Sequence, residues 1–161
     1  MAHLLGTAPA AHLLRGLHLM DFSAYLKRAK ALAYEAHAGQ TDKAGEPYIN
    51  HVARVAAAVS DDPLAECVAW LHDVIEDCPE FYSDVYSEFC QRIVLRVLML
   101  TYHRDCNSAY YRRIRADPVA LRVKLADIAD NSDPERLAKL DAKTAGRLRR
   151  KYAKALRLLG V

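Results

Sequence analysis

Between Leu64 and Asp77 the chain is nearly apolar on every side up to Leu71, then closes with His72, Asp73, Glu76 and Asp77. A helix that is apolar all round cannot lie on a surface, so other elements must pack against it from several directions. Asp61-Asp62-Pro63 opens the segment, with Pro63 at a tolerated first-turn position, and Pro79 stops it. The polar end is as informative as the apolar start. Residues three and four apart share a helix face, which joins His72 to Glu76 and Asp73 to both Glu76 and Asp77. Burying such groups without partners costs roughly several kcal/mol each. A metal ion is the economical way to satisfy them.

The surrounding sequence supplies the helices that such a segment requires. Ser23 is expected to cap a helix through His37, with Tyr25, Ala29, Leu32, Ala33 and Ala36 as its apolar stripe and Gly39 as its stop. A polar loop, punctuated by Gly45 and Pro47, leads to Asn50, the expected cap of a helix starting near His51. Residues 81–89 suit a short irregular helix, 91–100 another, and 102–107 a polar loop. Ser108 is expected to cap the next helix, and Asp117-Pro118 opens one running to Asn131. A last helix is expected from about Thr144 to Leu159, with Leu148, Tyr152, Ala155, Leu156 and Leu159 on one face. With no internal repeat and no linker, this reads as an all-α bundle-like domain.

Length and composition agree with that reading. The 161 residues, 52% of them hydrophobic, suffice for one domain with a sizeable core. A net charge of +3 is too small to argue for nucleic acid, and the Arg147–Arg157 cluster reads as a solvated face. No apolar run is long enough to span a membrane. Cys67, Cys78, Cys90 and Cys106 form no Cys-x-x-Cys pair, which argues against a thiolate zinc site and suits reduced thiols in a cytoplasmic protein. Residues 1–20, rich in Ala and Leu without the basic start of a signal peptide, are expected to be a loosely attached extension of a domain covering 21–161.

Other polar residues stand where an apolar pattern does not need them. His51 follows the Pro47 loop, Asp127 follows Leu125-Ala126, and Asn131 lies four beyond Asp127 on the same face. His51, His72, Asp73 and Asp127 together make a ligand set of two imidazoles and two carboxylates from three helices. That set suits one divalent ion, manganese or iron, with zinc also compatible. Such an ion lowers the pKa of its water and polarises a phosphoryl oxygen. Glu76 and Asp77 could then take the water's proton and protonate the leaving group. Taken singly these residues have plain explanations: a buried histidine is usually hydrogen-bonded core, and a Glu-Asp pair near a helix end is usually solvated. Their joint occurrence in apolar helical context carries the weight.

In that order, His51, His72-Asp73 and Asp127 resemble the His…His-Asp…Asp signature of the HD-domain metal-dependent phosphohydrolases. The likeness extends to Ala36-His37-Ala38-Gly39-Gln40, residues 45–51 (Gly-Glu-Pro-Tyr-Ile-Asn-His), residues 71–77, Leu100-Thr101 and Val123-Lys124-Leu125-Ala126-Asp127. These resemble the alarmone, (p)ppGpp, hydrolase domain of the RelA/SpoT proteins and the small stand-alone hydrolases, over roughly Tyr25 to Asn131. The resemblance implies a manganese ion on His51, His72, Asp73 and Asp127, support for water attack on a 3′-pyrophosphate from Glu76 and Asp77, and nucleotide contacts from Asn131 and Lys43. Two departures bear on the base. Asp42 stands where the family commonly has an arginine packed on guanine, and Ile128 replaces another arginine. Ala129-Asp130-Asn131-Ser132 also stands in place of the family's Leu-His-Asn-Met.

Basic and aromatic residues beyond Leu100 could complete a phosphate pocket: Tyr102, His103, Arg104, Tyr110, Tyr111, Arg112, Arg113 and Lys124, with Arg113 and Lys124 favoured. The expected activity is metal-dependent cleavage of a phosphoester or pyrophosphate in a nucleotide, with (p)ppGpp as the leading substrate. Two alternatives stand beside it. One is an HD hydrolase for another nucleotide or a dinucleotide phosphate; the other is a catalytically inactive regulatory module that binds metal and nucleotide. No membrane or nucleic-acid partner is expected.

Overall fold

A computed structural model describes residues 22–102 and 107–161. The expectation for residues 1–20 lies outside the described residues, as do His103, Arg104 and Cys106. The described residues form ten α-helices: α1 (Ser23–Ala36), α2 (Tyr48–Ala57), α3 (Pro63–Leu71), α4 (Val74–Asp77), α5 (Tyr82–Glu88), α6 (Gln91–Leu100), α7 (Asn107–Ala116), α8 (Pro118–Asn131), α9 (Pro134–Ala138) and α10 (Ala142–Leu159). A short 3-10 turn, Pro79–Phe81, links α4 to α5. They contain no strand; an isolated bridge pairs Thr41 with Pro47 in the loop before α2. No helix among them is long and apolar enough to cross a membrane.

α3 is the buried centre that its composition requires. Leu64, Ala65, Cys67, Val68, Ala69, Trp70 and Leu71 are all buried, and α1, α2, α6 and α8 pack around them. Asp62 caps the helix: its Oδ1 accepts the amides of Leu64 (2.9 Å) and Ala65 (3.3 Å). Asp117 does the same for α8, accepting from Val119 (3.0 Å) and Ala120 (2.9 Å). Each such cap is worth about 1 kcal/mol. α7 and α10 pack against α8 and against each other, with Leu148, Tyr152, Ala155 and Leu159 of α10 turned inward.

Several boundaries differ from the sequence expectation. The segment 64–77 is not one helix. It breaks at His72-Asp73, where His72 Nδ1 meets the carbonyl oxygen of Ala69 at 2.7 Å. In an unbroken helix that oxygen would accept the amide four residues on, at Asp73. α2 starts at Tyr48, not near His51, because Tyr48 and Ile49 pack half-buried against the core and the helix begins directly after extended Pro47. Asn50 is therefore an interior residue and not the cap. Ser23 is the first residue of α1, with Phe22 at the cap position. α7 begins at Asn107, ahead of the expected Ser108 cap. α10 begins at Ala142, where Asp141 accepts the Thr144 amide at 2.9 Å. The five-residue helix α9, capped by Asp133, was not expected at all. Gly39 does end α1's turn, at φ 75°, a left-handed conformation that suits glycine.

Candidate active site

The break between α3 and α4 builds the site. Adjacent residues on a straight helix point apart. At the break, His72 Nε2 and Asp73 Oδ2 come to 3.0 Å. α2 brings His51 to the same point, its Nε2 at 3.8 Å from Asp73 Oδ2 and 3.4 Å from Asp127 Oδ1 of α8. Asp127 Oδ1 is also 3.9 Å from His72 Nε2. His51, His72 and Asp127 are almost completely buried, at 1%, 1% and 4% exposure, and their ligand atoms lie within 4.8 Å of one another.

The donor chemistry tests whether a cation fits here. The Nε2 atoms of His51 and His72 are buried with no hydrogen-bond partner. Their Nδ1 atoms are both engaged: His51 with Asp130 Oδ2 at 2.6 Å, and His72 with the Ala69 carbonyl at 2.7 Å. A carboxylate and a carbonyl accept, so each Nδ1 carries a proton, and each Nε2, on giving up any proton of its own, offers a lone pair to a cation lying between it and the two carboxylates. Two lone pairs and two anions around one small volume fit a divalent cation.

Neighbouring groups orient the carboxylates. Tyr48 donates its hydroxyl to Asp73 Oδ2 at 2.6 Å. Burial, reinforced by Asp73, pushes the phenol's pKa well up and keeps that proton in place. Lys124 donates to Asp127 Oδ2 at 2.7 Å and Asn131 to Asp127 Oδ1 at 2.5 Å. Burial opposes the ammonium of Lys124, yet Asp127 outweighs it and holds the lysine charged. The two carboxyls are likewise held ionised against burial, Asp127 by Lys124 and His51, and Asp73 by His72. The imidazoles respond in the opposite sense. Burial alone would lower His72, but Asp73 and Asp127 raise it to about 9, and Asp127 and Asp130 raise His51. The two carboxylates thus favour a cation beside them.

The pocket is one end of a cleft of about 620 Å³. Glu76 and Asp77 stand on its wall beside Asp73, reaching solvent. Partial burial, helped by Asp73, raises the pKa of both carboxyls. The backbone amide of Tyr102 donates to Glu76 Oε2 at 2.8 Å and fixes that side chain. Lys43, Lys124 and Asn131 also line the cleft, together with Tyr102, Tyr110, Tyr111 and Tyr152. Lys151 and Lys154 of α10 and Arg136 of α9 line it too, and their sequence context had not marked them for this role.

The site therefore gathers nine of the ten residues singled out for ligand, catalytic or substrate roles. Arg113 is the exception, and Arg112, also named as a pocket candidate, does not line the cleft either. The Arg113 guanidinium donates to the carbonyls of Met99 (3.0 Å) and Thr101 (2.7 Å) and sits over the Tyr110 ring, so it closes the C-terminal end of α6 and does not line the cleft. Sequence reasoning also missed Asp130, whose contact with His51 depends on the α2–α8 packing. Asp42 has a defined place as well. Its Oδ1 accepts the amides of Ala44 (2.8 Å) and Glu46 (3.0 Å), and its Oδ2 accepts from Arg136 at 2.7 Å. The charge at the departure from the family pattern is thus neutralised within the fold.

An all-α fold that brings His, His-Asp and Asp from three helices to one buried point is an HD-type domain. No family model matches the chain. It is 30% identical to a guanosine-3′,5′-bis(diphosphate) 3′-pyrophosphohydrolase of Aquifex aeolicus (strain VF5), over 71% of this chain and 18% of the relative. It is 33% identical to the bifunctional (p)ppGpp synthase/hydrolase SpoT of Escherichia coli (strain K12), over 66% of this chain and 17% of that protein. The chain thus spans under a fifth of the length of these relatives. Among solved structures, a metazoan ortholog of SpoT, described as hydrolysing ppGpp with a role in starvation responses, superimposes with a TM-score of 0.70 at 23% identity, covering 96% of this chain and 88% of its own. The chain is homologous to the (p)ppGpp hydrolase domain of the SpoT/RelA family.

Proposed function

We propose that this chain is a 3′-pyrophosphohydrolase of guanosine 3′,5′-bis(diphosphate), acting with one divalent ion, manganese in the first instance, held by His51, His72, Asp73 and Asp127. The observation that carries it is the pair of buried, unpartnered Nε2 atoms facing two carboxylates at the end of the cleft. A bound divalent ion would supply a polarised phosphoryl oxygen and a more acidic water. The chain's own residues supply the rest. Glu76, its Oε2 held by the Tyr102 amide, would take a proton from the attacking water. Asp77, on the same wall, would return one to the leaving group. Lys43, Lys151 and Lys154 offer cations to a polyphosphate along the cleft, and the tyrosines offer rings for a base. Lys124 keeps its charge against Asp127 and so steadies a ligand while facing the cleft.

A related substrate is the second reading, favoured by Asp42: the residue at that position is tied to Arg136 and to its own turn. The test is incubation of the purified protein with manganese and a panel containing ppGpp, pppGpp, GDP, GTP and dinucleotide phosphates. Release of pyrophosphate with GDP from ppGpp is the expected result. Turnover confined to other nucleotides would move the assignment to the second reading, and metal binding without turnover of any would leave a regulatory binding module.

A further inference from the structure

Asp130 lies behind the ligand cluster, one helical turn past Asp127 on α8, and belongs to neither the ligand set nor the cleft lining. Its Oδ2 meets His51 Nδ1 at 2.6 Å. Two arginines hold the carboxylate in place. Arg54 of α2 donates from Nε to Oδ1 at 2.5 Å. Arg136 of α9 is hydrogen-bonded through Nη1 to Oδ2 and to the Asp130 carbonyl (3.1 Å), and reaches Asp42 through Nη2 (2.7 Å). Three elements thus converge on one carboxylate whose remaining contact is an imidazole 1% exposed. Pairing Arg54 with Asp130 would not by itself need that geometry, since half-exposed ion pairs contribute little to stability.

We propose that Asp130, clamped by Arg54 and Arg136, is a positioning residue that fixes His51 as the Nδ1–H tautomer and aims its Nε2 at the cation. A carboxylate can only accept from Nδ1, so the lone pair is left on Nε2, where Asp127 and Asp73 face it. Partners of this kind orient a ligating ring and raise its basicity, and their loss typically weakens metal binding on the order of 10- to 100-fold. The inference rests on the reading of His51 as a ligand, and not on the identity of the substrate.

The experiment measures manganese affinity of the full chain by competition with a fluorescent chelator, for wild type, Asp130→Asn, Asp130→Ala and Arg54→Gln. Circular dichroism and thermal melting check the fold of each. Affinity should fall on the order of 10- to 100-fold in Asp130→Ala. Asp130→Asn, whose amide oxygen still accepts from Nδ1, should lie between Asp130→Ala and wild type. Arg54→Gln removes one side of the clamp from a half-exposed position and stays informative if both Asp130 variants unfold; it should weaken binding several-fold. Nitrogen-15 spectra of the metal-free protein, recorded at a pH where the ring is neutral, should show a protonated Nδ1 on His51 in wild type and a mixed tautomer in Asp130→Ala. Unchanged affinity and tautomer in folded variants would overturn the proposal, as would a wild type that binds no divalent ion. A wild type that binds manganese but leaves ppGpp intact defeats the substrate reading alone, and the Asp130 comparison then stands.

Discussion

Glu76 and Asp77 differ from the neighbouring ligands in one respect that chemistry can use: they reach the cleft while partial burial raises their pKa. A carboxylate raised above its ordinary value is a better base once ionised, and must be ionised to act as one. The acid limb of kcat/KM is therefore expected above the ordinary glutamate range, with activity lost as pH falls through it. Glu76→Gln should keep manganese affinity within about twofold, yet cut kcat on the order of 100-fold or more. Unchanged turnover in that variant would remove Glu76 from the chemistry. The histidines carry a different pH dependence. In the ion-free chain, Asp73 and Asp127 overcome burial to hold a proton on His72 up to about 9. A cation must displace that proton, so affinity should rise with pH until about 9. Calorimetry at pH 7 in buffers of different ionisation enthalpy should register proton release on binding; a buffer-independent heat would contradict it.

Elements place these residues, and the decisive one is a discontinuity. Had Pro63–Asp77 been a single straight helix, His72 and Asp73 would diverge and could not address one ion. The sequence shows the segment's apolar start, its polar end and the prolines on either side, but its break lies in a side chain binding a carbonyl within its own turn, His72 to Ala69. Helical periodicity does not record such a contact. The same limit explains α2, where the core packing of Tyr48 and Ile49 outranks Asn50 as a cap, and α9, too short to show a period. Asp62-Pro63 and Asp117-Pro118 were legible as helix starts, each through a local hydrogen bond, because a longer apolar pattern follows them; Asp133-Pro134 opens α9 in the same way and was missed. That gives a prediction for α8. Asp117→Ala removes the cap and the Arg96 ion pair, at a cost of about 1–2 kcal/mol in denaturant unfolding. Manganese affinity should be unaffected, because Asp127 and Asp130 lie at the helix's other end.

At the scale of the whole molecule, the ligands come from parts of the chain with no local reason to meet: α2, the α3–α4 joint and α8. These candidate ligands stood out because polar residues interrupted apolar patterns; the groups that support them did not. Asp130 and Arg136 act only through packing between α2, α8 and α9, and Arg113 was misplaced because an arginine on an aromatic-rich helix reads the same whether it faces a phosphate or a carbonyl. A centre drawn from three helices also ties stability to the cation. Half-buried Asp73 faces the same point as buried Asp127, and a divalent ion that binds the folded chain stabilises it by about 2.7 kcal/mol at a free concentration 100 times Kd. For a domain of this size that corresponds to a rise in Tm of roughly 5–10 °C. Adding manganese to chelator-treated protein should produce that rise, and chelator should reverse it. The double variant His72→Ala/Asp73→Ala should neither bind the ion nor shift its melting temperature when manganese is added. A full manganese-dependent shift in that variant would show that the cation sits elsewhere and would remove the α3–α4 joint from the centre.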